Sequence, residues 1–324
     1  MAERLPSPRA IDRLPAVPGD DTATAPPSGP PLAGVAVWGA RVAWLAVAVL
    51  GGRAVGVALA DHGGGGADVL TVAAWAGWAV GAVALAVPAT VTLTTARVVV
   101  PGAVAVAVAA AVGGADAGQV LALAGPAVIA TVLTASGDLG RRWVQASAYG
   151  DEQRFPLRPP VGYLAAAVLA WVLWTVVTLG AVIALADRRV AIGGALTALA
   201  AAGMALLPRR WHRLTLRWLV MVPAGLVVHD PVVLGETLMV SRRQMARLAI
   251  TNLPPRGGHT AADLTGPTAG TAIEVTLDES VTALFSPQPG LPQGRAIHMT
   301  AFLVAPSRPG AVLTDARRRR LPVH

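Results

Sequence analysis

The sequence predicts a membrane all-α helical bundle of about six transmembrane helices, followed by a small cytoplasmic antiparallel β domain with a closing C-terminal helix. Three observations carry this. The 324 residues are 54% hydrophobic and only 14% charged, where a soluble domain carries roughly 25% charged residues. Between Leu32 and Leu207 apolar runs follow one another with short polar breaks, each about 20 residues long, the length that crosses a bilayer. After Pro208 charge returns and the hydrophobic period drops to two, as in half-buried strands.

Residues 1–31 hold eight prolines among scattered Asp, Arg and Thr, which predicts a disordered cytoplasmic tail. The first apolar run starts near Leu32, so the tail is not a signal peptide. Spans are expected near 35–60, 69–87, 91–113, 119–136, 161–185 and 190–207 within a helical domain of 32–207. Arg97 and Pro101 interrupt the third. Twenty-two of the 26 basic residues fall on the side of the tail, of the 137–160 loop and of everything after Pro208. Arg188 and Arg189 fall on the other side, and Arg41 and Arg53 inside the first span. The positive-inside rule then puts both termini in the cytoplasm and the chain in the plasma (inner) membrane. The same asymmetry accounts for the net charge of +8, so no nucleic-acid partner is needed to explain it.

Residues 208–324 read as the β domain. "RWLVMVP", "GLVVHD" and "ETLMVS" are short strand-like runs divided by turns. Ile273–Asp278 and Ile297–Ala301 alternate apolar and polar residues, and 251–270, rich in Gly, Pro and Thr, reads as a long loop. Ser307 is placed to cap a final helix with Pro309 in its first turn and Val312, Leu313 and Ala316 on its inner face. This order, carried by "WLVMVPAGLVVHDPVVLGETLMVSRRQMARLAI" with the later strands and the last helix, resembles the bacterial pleckstrin-homology-like (PH-like) domains appended to membrane spans. The whole architecture is similar to multi-spanning proteins of high-GC bacteria. The resemblance implies a bent antiparallel sheet closed by a helix, a membrane-tethered interaction module and no defined chemistry.

What chemistry remains is narrow. The chain has no Cys, and every basic residue is Arg. Thiol nucleophiles, thiolate metal sites, Schiff-base lysines and P-loop lysines are therefore excluded. Histidines 62, 212, 229, 259, 298 and 324 show no ligand spacing, so neither a metal nor a cofactor is expected. No Asp or Glu falls inside a span, which weakens an ion-coupled transporter.

Two stretches stand out as candidate sites. Within 150–160, "GDEQRFPLRPP" packs two acids, two arginines and three prolines between apolar segments. Prolines 156, 159 and 160 forbid a helix and favour an extended, polyproline-like path. Asp151, Glu152, Arg154, Phe155 and Arg158 then form a candidate docking loop for the C-terminal domain or a partner; an ordinary basic loop is the alternative. Arg209, Arg210, Trp211 and Arg213 follow the last span and are the candidate lipid-facing set, at roughly 1 kcal/mol per arginine near an anionic surface. Arg217 continues that helical stripe or belongs to the first strand.

The function these features favour is a non-enzymatic binding or scaffold protein. Its partners are membrane lipids and a protein whose identity, like the oligomeric state, the sequence does not specify. A permease using Thr92, Thr94, Thr95, Gln119 and Thr131 is the alternative, and a membrane enzyme comes third.

Overall fold

The computed structural model describes residues 31–60, 62, 64–253, 261–287 and 294–324. Residues 1–30 of the expected tail lie outside these residues, and Pro31 begins the first helix. Six helices are long and apolar enough to cross a membrane. They are α1 (Pro31–Leu59), α2 (Gly64–Ala86), the pair α3 (Thr90–Val99) and α4 (Gly102–Val112), α5 (Ala117–Ala135), then α7 (Val161–Ala186) and α8 (Val190–Thr215) beyond a short helix α6 (Gly137–Gln145). The break between α3 and α4 falls at Pro101, which has no N–H to donate to the carbonyl of Arg97. Pro126 and Pro208, by contrast, sit inside continuous helices. The last apolar helix thus runs on past Pro208, the position at which the sequence changes texture.

In helices whose one acid is Asp68, in the first turns of α2, indole N–H groups take the role of polar glue. Trp44 Nε1 donates to the Trp78 carbonyl and Trp78 Nε1 to that of Trp44, each at 3.0 Å, joining α1 to α2. Trp171 reaches Val98 O at 2.8 Å, Trp174 reaches Ala200 O at 3.0 Å, and Trp211 reaches Ala167 O at 3.3 Å. Glycine makes room for two of these rings: a Cβ at Gly81 would run into Trp44, and one at Gly203 into Trp174.

The arginines inside the apolar runs also find a local purpose. Arg41 donates to Leu85 O (2.9 Å) and Ala86 O (3.1 Å), the last carbonyls of α2. Arg97 Nε points at Thr134 O near the end of α5, at 3.4 Å. Each cation therefore meets carbonyls that have no intrahelical partner, at the negative end of a helix dipole. Arg53, in the last turns of α1, is exposed.

The rest of the chain forms two four-stranded sheets. The first has the order β1 (Gln153–Pro156), β2 (Trp218–Val222), β3 (Gly225–His229), β4 (Leu238–Ser241), all antiparallel. A 3-10 turn, Arg242–Gln244, leads into the second sheet. Its order is β5 (Met245–Leu253), β7 (Gly270–Phe285), β8 (Arg295–Val304), β6 (Ala262–Asp263), with β6 parallel to β8. Helix α9 (Pro309–Arg318) places Val312, Leu313 and Ala316 in the core between the sheets.

Three local expectations are corrected. The 150–160 segment is not a free polyproline-like path, because Gln153–Pro156 pairs with Met221–Trp218 as the sheet's edge strand. An edge tolerates Pro156, whose missing N–H breaks no ladder bond. The expected 251–270 loop begins as β5 and contains β6. The residue capping α9 is Arg308, which makes no side-chain cap bond, and not Ser307.

Alternation along β2 decides what each face touches. Leu219 and Met221 enter the core between the sheets with Phe155, Leu226, Val228 and Val240. Trp218 and Val220 turn the other way and join the apolar core of the helices, beside Leu139, Trp143 and Val144 of α6. Helix α6 itself lies across helix ends: Trp143 Nε1 donates to Ala84 O of α2 at 3.3 Å, and Gly140 lies against the Arg97 guanidinium.

Candidate functional site

The junction between bundle and β domain collects most of the buried polar chemistry. At its centre Arg217, the last residue before β2, is fully buried against Asp230, with side chains at 0% exposure and Nη2 2.7 Å from Oδ2. Its Nε donates to Asp230 Oδ1 at 2.8 Å, Nη1 to Arg158 O at 2.6 Å and Nη2 to Thr265 O at 3.0 Å. Asp230 Oδ1 also accepts from Val232 N and Val233 N. The guanidinium thus links the exit of α8, the β3–β4 turn, the segment entering α7 and the residues after β6. Such a fork-to-carboxylate match with satisfied spare donors is the geometry that makes a buried pair tolerable.

The five candidate docking residues divide between surface and interior. Phe155 is 1% exposed, inside the β-domain core with the Arg141 guanidinium 4.8 Å from its ring centre. Burial lowers the Arg141 pKa from its ordinary value, which Asp315 and Asp138 oppose and Arg318 reinforces. Arg158 donates to Thr271 O, and burial lowers its pKa as well. Glu152 pairs with Arg154, whose guanidinium lies 5.4 Å from the Trp218 ring centre. Asp151 meets Arg319 of α9 at 3.2 Å. The loop docks on this chain's own β domain.

Of the candidate lipid-facing set, Arg209 and Arg210 are exposed, while Trp211 is buried and sits edge-on to Trp174. Arg213 donates to Pro231 O at 2.8 Å. The last turns of α8 pack on α7 and on the β3–β4 turn, so Trp211 is enclosed by the fold while Arg213 stays exposed. The polar residues considered for a transport path do not converge. Thr92 hydrogen-bonds around the start of α3, Gln119 caps α5 with Asp116, and Thr95 and Thr131 bond back within their helices. Thr94 meets His212 Nδ1 at 2.8 Å and ties α3 to α8. Among the described residues no group of three or more His, Cys, Asp or Glu lies together to hold a metal.

Sequence reasoning missed Asp230, Thr265 and the Asp138–Arg308 pair, in which Arg308 Nε lies 3.0 Å from Asp138 Oδ1. Only Asp230 left a signal: an Asp before Pro in a turn, with backbone N–H groups two and three residues on to accept from. No family model, curated protein or solved structure matches the chain.

His229 gives the junction a pH dependence. Its ring stacks on Trp218 with centroids 4.9 Å apart, and Nδ1 lies 3.1 Å from Thr237 Oγ1. Burial lowers its pKa from the ordinary value, with Asp230 opposing and Arg154 reinforcing the shift. The unfolded chain therefore takes up this proton before the folded one does. The contribution to stability is complete above about pH 6.5 and is lost as pH falls from there through the folded value. Melting temperatures between pH 7.5 and 5.5 should fall less steeply for His229→Gln than for the parent; equal slopes would remove His229 from this role.

Proposed function

We propose that the chain is a multi-pass protein of the plasma (inner) membrane with both termini cytoplasmic, and that it acts as a membrane-anchored binding or scaffold protein. Its cytoplasmic β domain, PH-like in its two sheets and closing helix, is the platform that meets a partner protein. One observation carries the reading: the helical region donates β1 to the first sheet, so the platform is built into the anchor. A surface held rigidly loses less orientational freedom on binding than one swinging on a tether.

The test is gentle detergent extraction of the tagged full chain, with mass spectrometry of what accompanies it. Asp230→Ala, which unlocks the junction, is the comparison. Ending the chain at Arg210 would strip β1 of β2 and confound the result. A stoichiometric partner held by the parent and lost from Asp230→Ala is expected; a parent that holds nothing sinks the reading.

A further inference from the structure

We propose that the face formed by the end of α9 and the turn into β5 binds an acidic protein segment. This deepens the binding reading above and rests on it. Arg318 and Arg319 are held by Asp315, and Arg319 also by Asp151. Arg317, Arg320, Arg242, Arg243 and Arg247 are exposed, and among the described residues they make no ion pair. The fold brings the segments that carry them together. Arg242 Nη2 donates to Arg320 O at 3.0 Å. Residues 321–324 return along β5, with Leu248 N donating to Pro322 O at 2.7 Å and His324 N to Leu248 O at 3.0 Å. Like charges carried on adjoining segments repel one another and lower the stability of the compact state.

A second observation is independent of charge. Arg320 has φ +56°, in the left-handed region. Its N–H donates to Arg317 O at 2.9 Å and that of Leu321 to Ala316 O at 2.9 Å. This is the helix-ending turn whose left-handed position glycine usually fills. Six of the eight positive-φ positions among the described residues are glycine, and the chain holds 35 glycines. An arginine there costs backbone energy, and among the described residues its exposed side chain makes no hydrogen bond or ion pair that offsets it. Both costs are explained by a ligand that carries negative charge.

Guanidinium forks match carboxylate and phosphate alike, so position decides the source. One side of α6 lies on the helix ends through Trp143, while its Asp138 meets Arg308 at the start of α9. A helix layer about 8–10 Å deep thus separates α9 from the proposed leaflet. That is about one Debye length, over which the leaflet's potential decays. Exposed Arg209 and Arg210, at the end of a membrane-length helix, are better placed to meet headgroups.

The experiment uses the full chain in phosphatidylcholine nanodiscs and a fluorescent polyglutamate peptide as probe. Saturable binding that weakens as salt rises is expected. Arg320→Gly should weaken it about threefold while leaving the melting temperature equal or higher, since the strain goes with the side chain. R242Q/R243Q/R320G should weaken it about tenfold, and R209Q/R210Q should leave it unchanged. Absence of saturable binding, or equal binding by the triple variant, overturns the proposal. So does loss of bound phosphatidylglycerol, and not of peptide, from the triple variant by native mass spectrometry. A co-purifying partner that the triple variant still holds overturns this assignment alone; a parent without any partner overturns the binding reading with it.

Discussion

Arg217→Met is expected to destabilise the β domain by about 3–5 kcal/mol, because it leaves the Asp230 carboxylate buried without its counter-charge. Both side chains are fully shielded from water, and the four side-chain hydrogen bonds of Arg217 tie together four segments far apart in sequence. Hydrogen exchange should report the loss as faster exchange in β2 and β3, with the helices of the bundle little changed. The double variant R217M/D230L should recover most of the stability, since an apolar pair of similar volume removes the orphaned charge. A single variant that exchanges like the parent would show that the pair is solvated in solution.

Phe155→Ala is the second large effect, at about 3–5 kcal/mol for an aromatic ring removed from a packed core. Phe155 pairs across from Leu219 and enters the core with Leu157, Met221 and Phe302. Losing it weakens the attachment of β1, so limited proteolysis should cut near 149–153, where Tyr149 is already 91% exposed. Arg154→Ala, by contrast, removes a half-buried side chain from the same strand and should leave the cut rate close to that of the parent. Equal protease resistance of Phe155→Ala and the parent would show that β1 is held by its backbone ladder alone.

The helices were legible because length and composition suffice for a membrane-length segment. Much of β7 was legible because one face is buried, which writes a period of two, while β2, buried on both faces, was legible as a short apolar run between turns. β1 was not. It is four residues long, ends in proline, and its partner Leu219 lies 64 positions beyond Phe155, so neither period nor turn chemistry announces the pairing. The reach of Arg217 was hidden for a related reason. In sequence it continues the spacing of Arg209 and Arg213, and only the end of α8 at Thr215 moves it from that stripe into the sheet junction. Arg41 and Arg97 read as liabilities until the ends of α2 and α5 came beside them.

The pairing of β1 with β2 also sets an order of events during synthesis. β1 leaves the ribosome before α7 and α8, and β2 after them, so the edge strand must wait until both helices have been made and brought back side by side. Closing that long loop is a non-local step, of the kind that slows folding. Without α7 and α8 packed side by side, β1 and β2 would stay out of reach of each other. Phe155 would then stay outside the core between the sheets. Completion of the first sheet thus depends on the pairing of the last two long helices, and a chain without that pairing carries an unmatched edge strand.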